Sequence, residues 1–200
     1  MPIRRLHKLI GVALLVPVSA WAATGMFFLF RPAYDDAYAS LTVKAYPYSG
    51  PLELPSSVQW LEFRYLETVL GRHLLVRNAA GWQHLEAESG GLFEMPGEAY
   101  LKALITDAMS QHPARYGEIV QVQGDNFLTS TGVSISVNWS TLSLTQLGND
   151  TRWINQIYNI HYLRWTGIDW IDELVGGFGL ILLILMAITG ARLLFWPQKQ

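Results

Sequence analysis

Five histidines are the residues of this chain best suited to redox or metal chemistry, because it contains no cysteine at all. That absence excludes disulfides, thiolate zinc sites, iron–sulfur clusters, covalently attached haem and cysteine nucleophiles. Two imidazoles on facing helices can hold haem b axially, and His7 and His161 stand at the edges of two long apolar runs. They lie at opposite ends of those runs, roughly a bilayer thickness of ~30 Å apart, so one haem between them within one chain is excluded. A dimer could pair His7 with its copy, or His161 with its copy. The ordinary reading of both is an interfacial histidine hydrogen-bonded to backbone, headgroup or water.

A second constellation is His73, His84 and Glu86. With Asn78–Gly81 as a turn, Leu75 faces His84 and His73 faces Glu86, so the three side chains share one sheet face. Two nitrogens and a carboxylate would suit a weak metal site, and a solvated polar face explains the same pattern. His112, before Pro113, reads as a helix-end residue. Asp35/Asp36 and Asp172/Glu173 read as polar markers at the ends of the apolar runs. No G-x-S-x-G elbow, P-loop, G-x-G-x-x-G or H-E-x-x-H occurs. No catalytic residue is therefore assigned, and the expectation leans against an enzyme acting by itself.

The elements that carry these residues follow from charge. Leu9 to Phe30 is 22 residues without a charge, and Leu174 to Ala191 is another 18. At 1.5 Å per residue the first covers about 33 Å, enough to cross the hydrocarbon of a bilayer. An A-x-A at Ala20–Ala22 offers a signal-peptide reading, but the apolar run continues eight residues beyond it, which favours a retained anchor. Half of the residues are hydrophobic and only 15% are charged, with mean hydropathy +0.20. Net charge is −2 and no basic stripe appears, so nucleic acid is not expected as a partner.

Arg4, Arg5 and Lys8 flank the first run, and Arg192 and Lys199 flank the second. Residues 31–173 carry nine Lys and Arg against all sixteen Asp and Glu, a net −7. The positive-inside bias then puts both termini in the cytoplasm and 31–173 on the far side, the periplasm of a bacterium. The expected layout is a cytoplasmic 1–8, a span at 9–30 and a linker at 31–57. An α+β domain at 58–150 follows, then an interfacial amphipathic helix at 151–170, a span at 174–196 and a cytoplasmic 197–200.

Within the domain, short strands are expected at 58–67, 72–77, 82–87, 118–123, 127–131, 133–138 and 141–145, with one helix at 98–111. The aromatic run from Arg152 to Trp165 suggests a helix lying at the membrane surface. In the spans, small residues such as Gly25, Gly176, Gly179 and Gly190 allow close helix packing, and Pro17 should kink the first span. They would serve packing of the two spans, dimerisation, or docking on another membrane protein.

Leu6-His7-Lys8-Leu9-Ile10-Gly11, Ala23-Thr24-Gly25, Ile160-His161 and Ala187-Ile188-Thr189-Gly190, in this order around a strand-rich loop, resemble the PepSY-associated transmembrane-helix family. In the loop, Trp82–Leu92 resembles the PepSY hairpin, with Glu86 or Glu88 in the acidic place and Ser89-Gly90 where Thr-Gly is usual. The resemblance implies a bacterial inner-membrane protein linked to iron or siderophore uptake. Some larger members are haem-containing reductases that pass electrons across the membrane to ferric siderophores, and isolated PepSY modules are associated with protease propeptides and inhibition. Many members have four or more spans, whereas this chain has two. The expectation is an accessory protein that presents its module to a respiratory or iron-uptake complex, with no resident cofactor. The alternative is a haem-binding, electron-transferring homodimer.

Overall fold

The computed structural model describes residues 3–51, 54–55 and 60–196. The elements in chain order are α1 (Ile3–Phe30), α2 (Tyr34–Ala37), β1 (Glu62–Thr68), β2 (Gly71–Asn78) and β3 (Gly81–Glu86). After these come α3 (Glu98–Met109), α4 (Pro113–Tyr116), β4 (Ile119–Gln123), β5 (Asn126–Thr129), β6 (Ser134–Asn138) and β7 (Ser143–Leu147). The chain closes with α5 (Asn149–His161) and α6 (Asp169–Phe195). It divides into two compact units, one of Met1–Tyr34 with Arg152–Gln200 and one of Asp35–Thr151. The expected first strand from residue 58 and the flanking Lys199 fall partly or wholly outside the described residues.

In the first unit, α1 and α6 are 28 and 27 residues long, and both are apolar enough to cross a membrane. Their side chains are mostly exposed: among the described residues of these helices only Ile10, Leu14, Asp172 and Thr189 are buried. Helices apolar all round and uncovered by protein need hydrocarbon as their surroundings.

The aromatic helix α5 is shorter than its sequence suggested. It stops at His161 because Leu163 takes φ +58°, which ends the helical hydrogen bonding without a glycine. Leu163 then packs over Gly176, and the Asp172 carboxylate gathers the turn, accepting from the Trp165, Thr166 and Gly167 amides and the Thr166 hydroxyl. One face of α5 packs on the end of α1, with Trp153 edge-on to Phe27 and Tyr158 stacked on Phe28 at 4.4 Å.

The second unit is two antiparallel sheets with α3 packed on their shared core. One sheet has the order β1-β2-β3 and the other β4-β5-β6-β7. Leu101, Leu104, Ile105, Ala108 and Met109 recur at helical spacing and place one stripe of α3 in the core. There they meet Leu75 from the first sheet and Phe127, Ile135, Val137 and Leu144 from the second. Burying each large side chain contributes about 1.5–3 kcal/mol.

The β2–β3 hairpin turns on Asn78, whose Oδ1 accepts from the Ala80 amide at 2.8 Å, and on Gly81 at φ +122°. Its register is the one the turn implied, with His73 opposite Glu86 and Leu75 opposite His84. β7 begins at Ser143, two residues later than expected, because Leu142 closes the Trp139–Leu142 reversal at φ +48°. His112 stands at the start of α4 rather than at the end of α3.

Candidate functional site

A histidine–threonine pair fastens α1 near each of its ends, to α6 at one and to α5 at the other. At the basic end, His7 Nδ1 of α1 lies 2.8 Å from Thr189 Oγ1 of α6. Toward the other end, His161 Nδ1 lies 3.0 Å from Thr24 Oγ1 of α1. Each threonine is followed by a glycine, and each glycine receives the ring of the same histidine. A Cβ on Gly25 would sit 3.6 Å from His161 Cε1, and one on Gly190 only 3.2 Å from His7 Cε1. Two Thr-Gly pairs and two histidines therefore make the same reciprocal kind of contact, a histidine of α1 on a threonine of α6 and a histidine of α5 on a threonine of α1.

The direction of these hydrogen bonds follows from proton count. Thr24 Oγ1 is 2.8 Å from the Ala20 carbonyl, and Thr189 Oγ1 is 2.8 Å from the Leu185 carbonyl. Oxygens that close repel unless the single hydroxyl proton lies between them, so each threonine donates to its own helix. Each hydroxyl then has only lone pairs to offer the imidazole. His7 and His161 must donate from Nδ1, and in the neutral ring Nε2 keeps its lone pair. Around His161 stand Trp21, stacked at 5.5 Å and 8°, with Phe28 and Tyr162 edge-on.

His7 and His161 are not brought together. Their partners Thr189 and Thr24 mark opposite ends of the helix pair, and the 17 residues of α1 between His7 and Thr24 span about 25 Å. A haem held between His7 and His161 of one chain does not fit. Of the expected packing glycines, Gly25 and Gly190 seat the histidine rings and Gly176 lies under Leu163. Gly179 has nothing within 4 Å of where its Cβ would be.

In the sheet unit the paired histidines form a closed chain. Thr68 Oγ1 is 2.8 Å from His73 Nε2, His73 Nδ1 is 2.9 Å from His84 Nε2, and His84 Nδ1 is 2.8 Å from the Trp139 carbonyl. The carbonyl can only accept, so His84 donates from Nδ1 and accepts at Nε2. His73 must then donate from Nδ1, and Thr68 donates to its Nε2. Every ring nitrogen is engaged, with neither imidazole charged.

His73 and His84 are 0% and 2% exposed, walled by Phe93 and Trp139, and the indole N–H of Trp139 donates to the Phe93 carbonyl. The pKa of both is lowered to about 4, by burial first and, for His73, also by the neighbouring His84. Glu86 faces His73 in the register but is exposed, and its carboxylate accepts from the Ser89 hydroxyl at 2.6 Å. The three residues read as a weak metal trio thus separate into a saturated buried pair and a surface carboxylate. No group of three metal-ligating side chains occurs among the described residues.

The reciprocal pairs escaped sequence reasoning, which had placed the histidines and the glycines in separate roles. The signal available was the recurrence of Thr-Gly late in both apolar runs, at Thr24-Gly25 and Thr189-Gly190.

Two uncovered apolar helices flanking an α+β unit are the architecture of a membrane-anchored module. The family described as the PepSY-associated TM region matches residues 3–199, and the chain belongs to it. No curated protein and no solved structure matches the chain.

Proposed function

We propose that this PepSY membrane protein is an accessory subunit of the bacterial inner membrane. Both termini lie in the cytoplasm, and the two helices hold the sheet unit in the periplasm beside a partner membrane protein of an iron-uptake or respiratory complex. The observation that carries the reading is the division of labour along α6. Its Thr189-Gly190 step is engaged with His7, while Gly177, in the same helix, is exposed with nothing within 4 Å of where its Cβ would be. An exposed glycine on a membrane helix allows another helix to approach closely. The basic ends and the net −7 of the intervening segment support the orientation.

The test is recovery of partners with an affinity-tagged chain from native membranes. Gly177→Leu is expected to lose the partner while leaving the chain folded. Unchanged recovery would remove the docking face from the account. Orientation is read from single cysteines in this cysteine-free chain, with Lys102→Cys labelled and Arg5→Cys protected from an impermeant maleimide in intact spheroplasts.

A second reading is favoured by one feature, the free Nε2 lone pair that the threonine hydrogen bond leaves on His161. Two copies meeting at that end would offer two imidazoles to haem b, giving an electron-transferring homodimer. It requires a Soret band in the purified protein that His161→Ala abolishes, and an unaltered spectrum in that variant would dispose of it.

A further inference from the structure

We infer that the cleft between α1 and α6 is a binding site for a lipophilic phenol or quinol, held by a hydrogen bond to the Ala13 carbonyl. The cleft measures about 400 Å³ and is lined by Ala13, Pro17 and Trp21 of α1, Phe178 and Gly179 of α6, and Trp165 from the turn before it. That volume is in the range of small-molecule sites.

Pro17 lies inside α1 and has no N–H to give to the carbonyl four residues earlier, which is that of Ala13. Residues 13 and 17 share the face of α1 that lines the cleft, so the released acceptor is on the cleft side. In hydrocarbon there is no water to satisfy it, and an unpaired carbonyl there is costly. The Trp165 indole N–H is already committed to the Ile160 carbonyl at 3.1 Å and cannot serve. The cleft therefore calls for an apolar occupant with one donor.

Three aromatic rings and the Pro17 ring on its walls favour a flat body over a flexible one. A lipid acyl chain has no donor. A serine or threonine of a partner helix would spend its proton on its own backbone, as Thr24 and Thr189 do here. A ring hydroxyl on a lipophilic body meets both demands, and Gly179 leaves the space beside it open.

The experiment uses the full chain in non-ionic detergent with two radiolabelled probes, a long-chain alkylphenol and its methyl ether. Retention on the immobilised protein is measured at a fixed ratio of probe to detergent. Saturable retention is expected, with about a tenfold preference for the phenol, the factor one net hydrogen bond supplies. Pro17→Ala restores a donor to Ala13 and should bring the preference close to one while ether retention persists. Gly179→Leu fills the cleft and should remove both. Equal retention of phenol and ether by the unsubstituted chain would overturn the proposal, as would retention that never saturates. Retention unaffected by Gly179→Leu would place the site elsewhere and overturn it too. Should Pro17→Ala fail to fold, the preference of the unsubstituted chain and the Gly179→Leu result still decide.

Discussion

Acidification should destabilise the sheet unit, because burial disfavours the charged form of both His73 and His84. Both rings therefore stay neutral when folded down to a pKa of about 4, whereas in the unfolded chain they titrate near 6.5. Between those values the unfolded state binds more protons, so stability falls as pH falls from about 6.5 and levels off below about 4. At pH 5 the deficit is about 2 kcal/mol per histidine, or about 4 kcal/mol for the pair. That is a large part of the 5–15 kcal/mol typical of a domain.

Asp150, held below the ordinary carboxylate range by its hydrogen bond from Arg115, loses its contribution only at more acid pH. The assay is urea unfolding of the full chain in non-ionic detergent, read by near-ultraviolet circular dichroism at pH 7.5 and pH 5.0. With a slope of about 2 kcal/mol per molar urea, the midpoint should drop by about 2 M. The His73→Leu/His84→Leu variant should start less stable, since the Thr68 hydroxyl and Trp139 carbonyl lose their partners, yet show almost no shift. An unsubstituted chain with a pH-independent midpoint would refute the reasoning, as would an equal shift in the double variant.

The reciprocal pairs predict that Thr189→Val weakens the association of α1 with α6, and Thr24→Val that of α1 with α5, each by about 0.6–2 kcal/mol, measured by steric trapping in bicelles. The loss should be non-additive with His7→Ala and His161→Ala respectively. Gly190→Ala, whose new methyl would stand 3.2 Å from the His7 ring, should cost more in the same assay than Gly25→Ala, with 3.6 Å to His161. Asp172→Ala removes the acceptor for three amides and a hydroxyl, and should loosen the turn before α6. Faster hydrogen exchange at residues 165–167 would register it.

Local signals made much of this chain legible. Uncharged stretches mark α1 and α6, and Asn78–Gly81 sets the β2–β3 register. What stayed hidden was non-local. His73 and His84 read as a polar face because the residues that bury them, Phe93 and Trp139, arrive from other parts of the chain. β2 is buried on both faces, with Leu74 and Val76 on one side and His73 and Leu75 on the other, so the alternation that marks a half-exposed strand is missing. The end of α5 was misplaced because a leucine, not a glycine, takes the left-handed conformation. The His7–Thr189 and His161–Thr24 pairs join residues more than a hundred positions apart, beyond the reach of periodicity.

Native mass spectrometry of the affinity-purified chain, released from mild detergent, tests the accessory-subunit reading most directly. The account expects a complex of this chain with a different membrane polypeptide, and loss of that species in Gly177→Leu. A dominant species of two copies carrying haem would contradict it and establish the electron-transfer reading in its place.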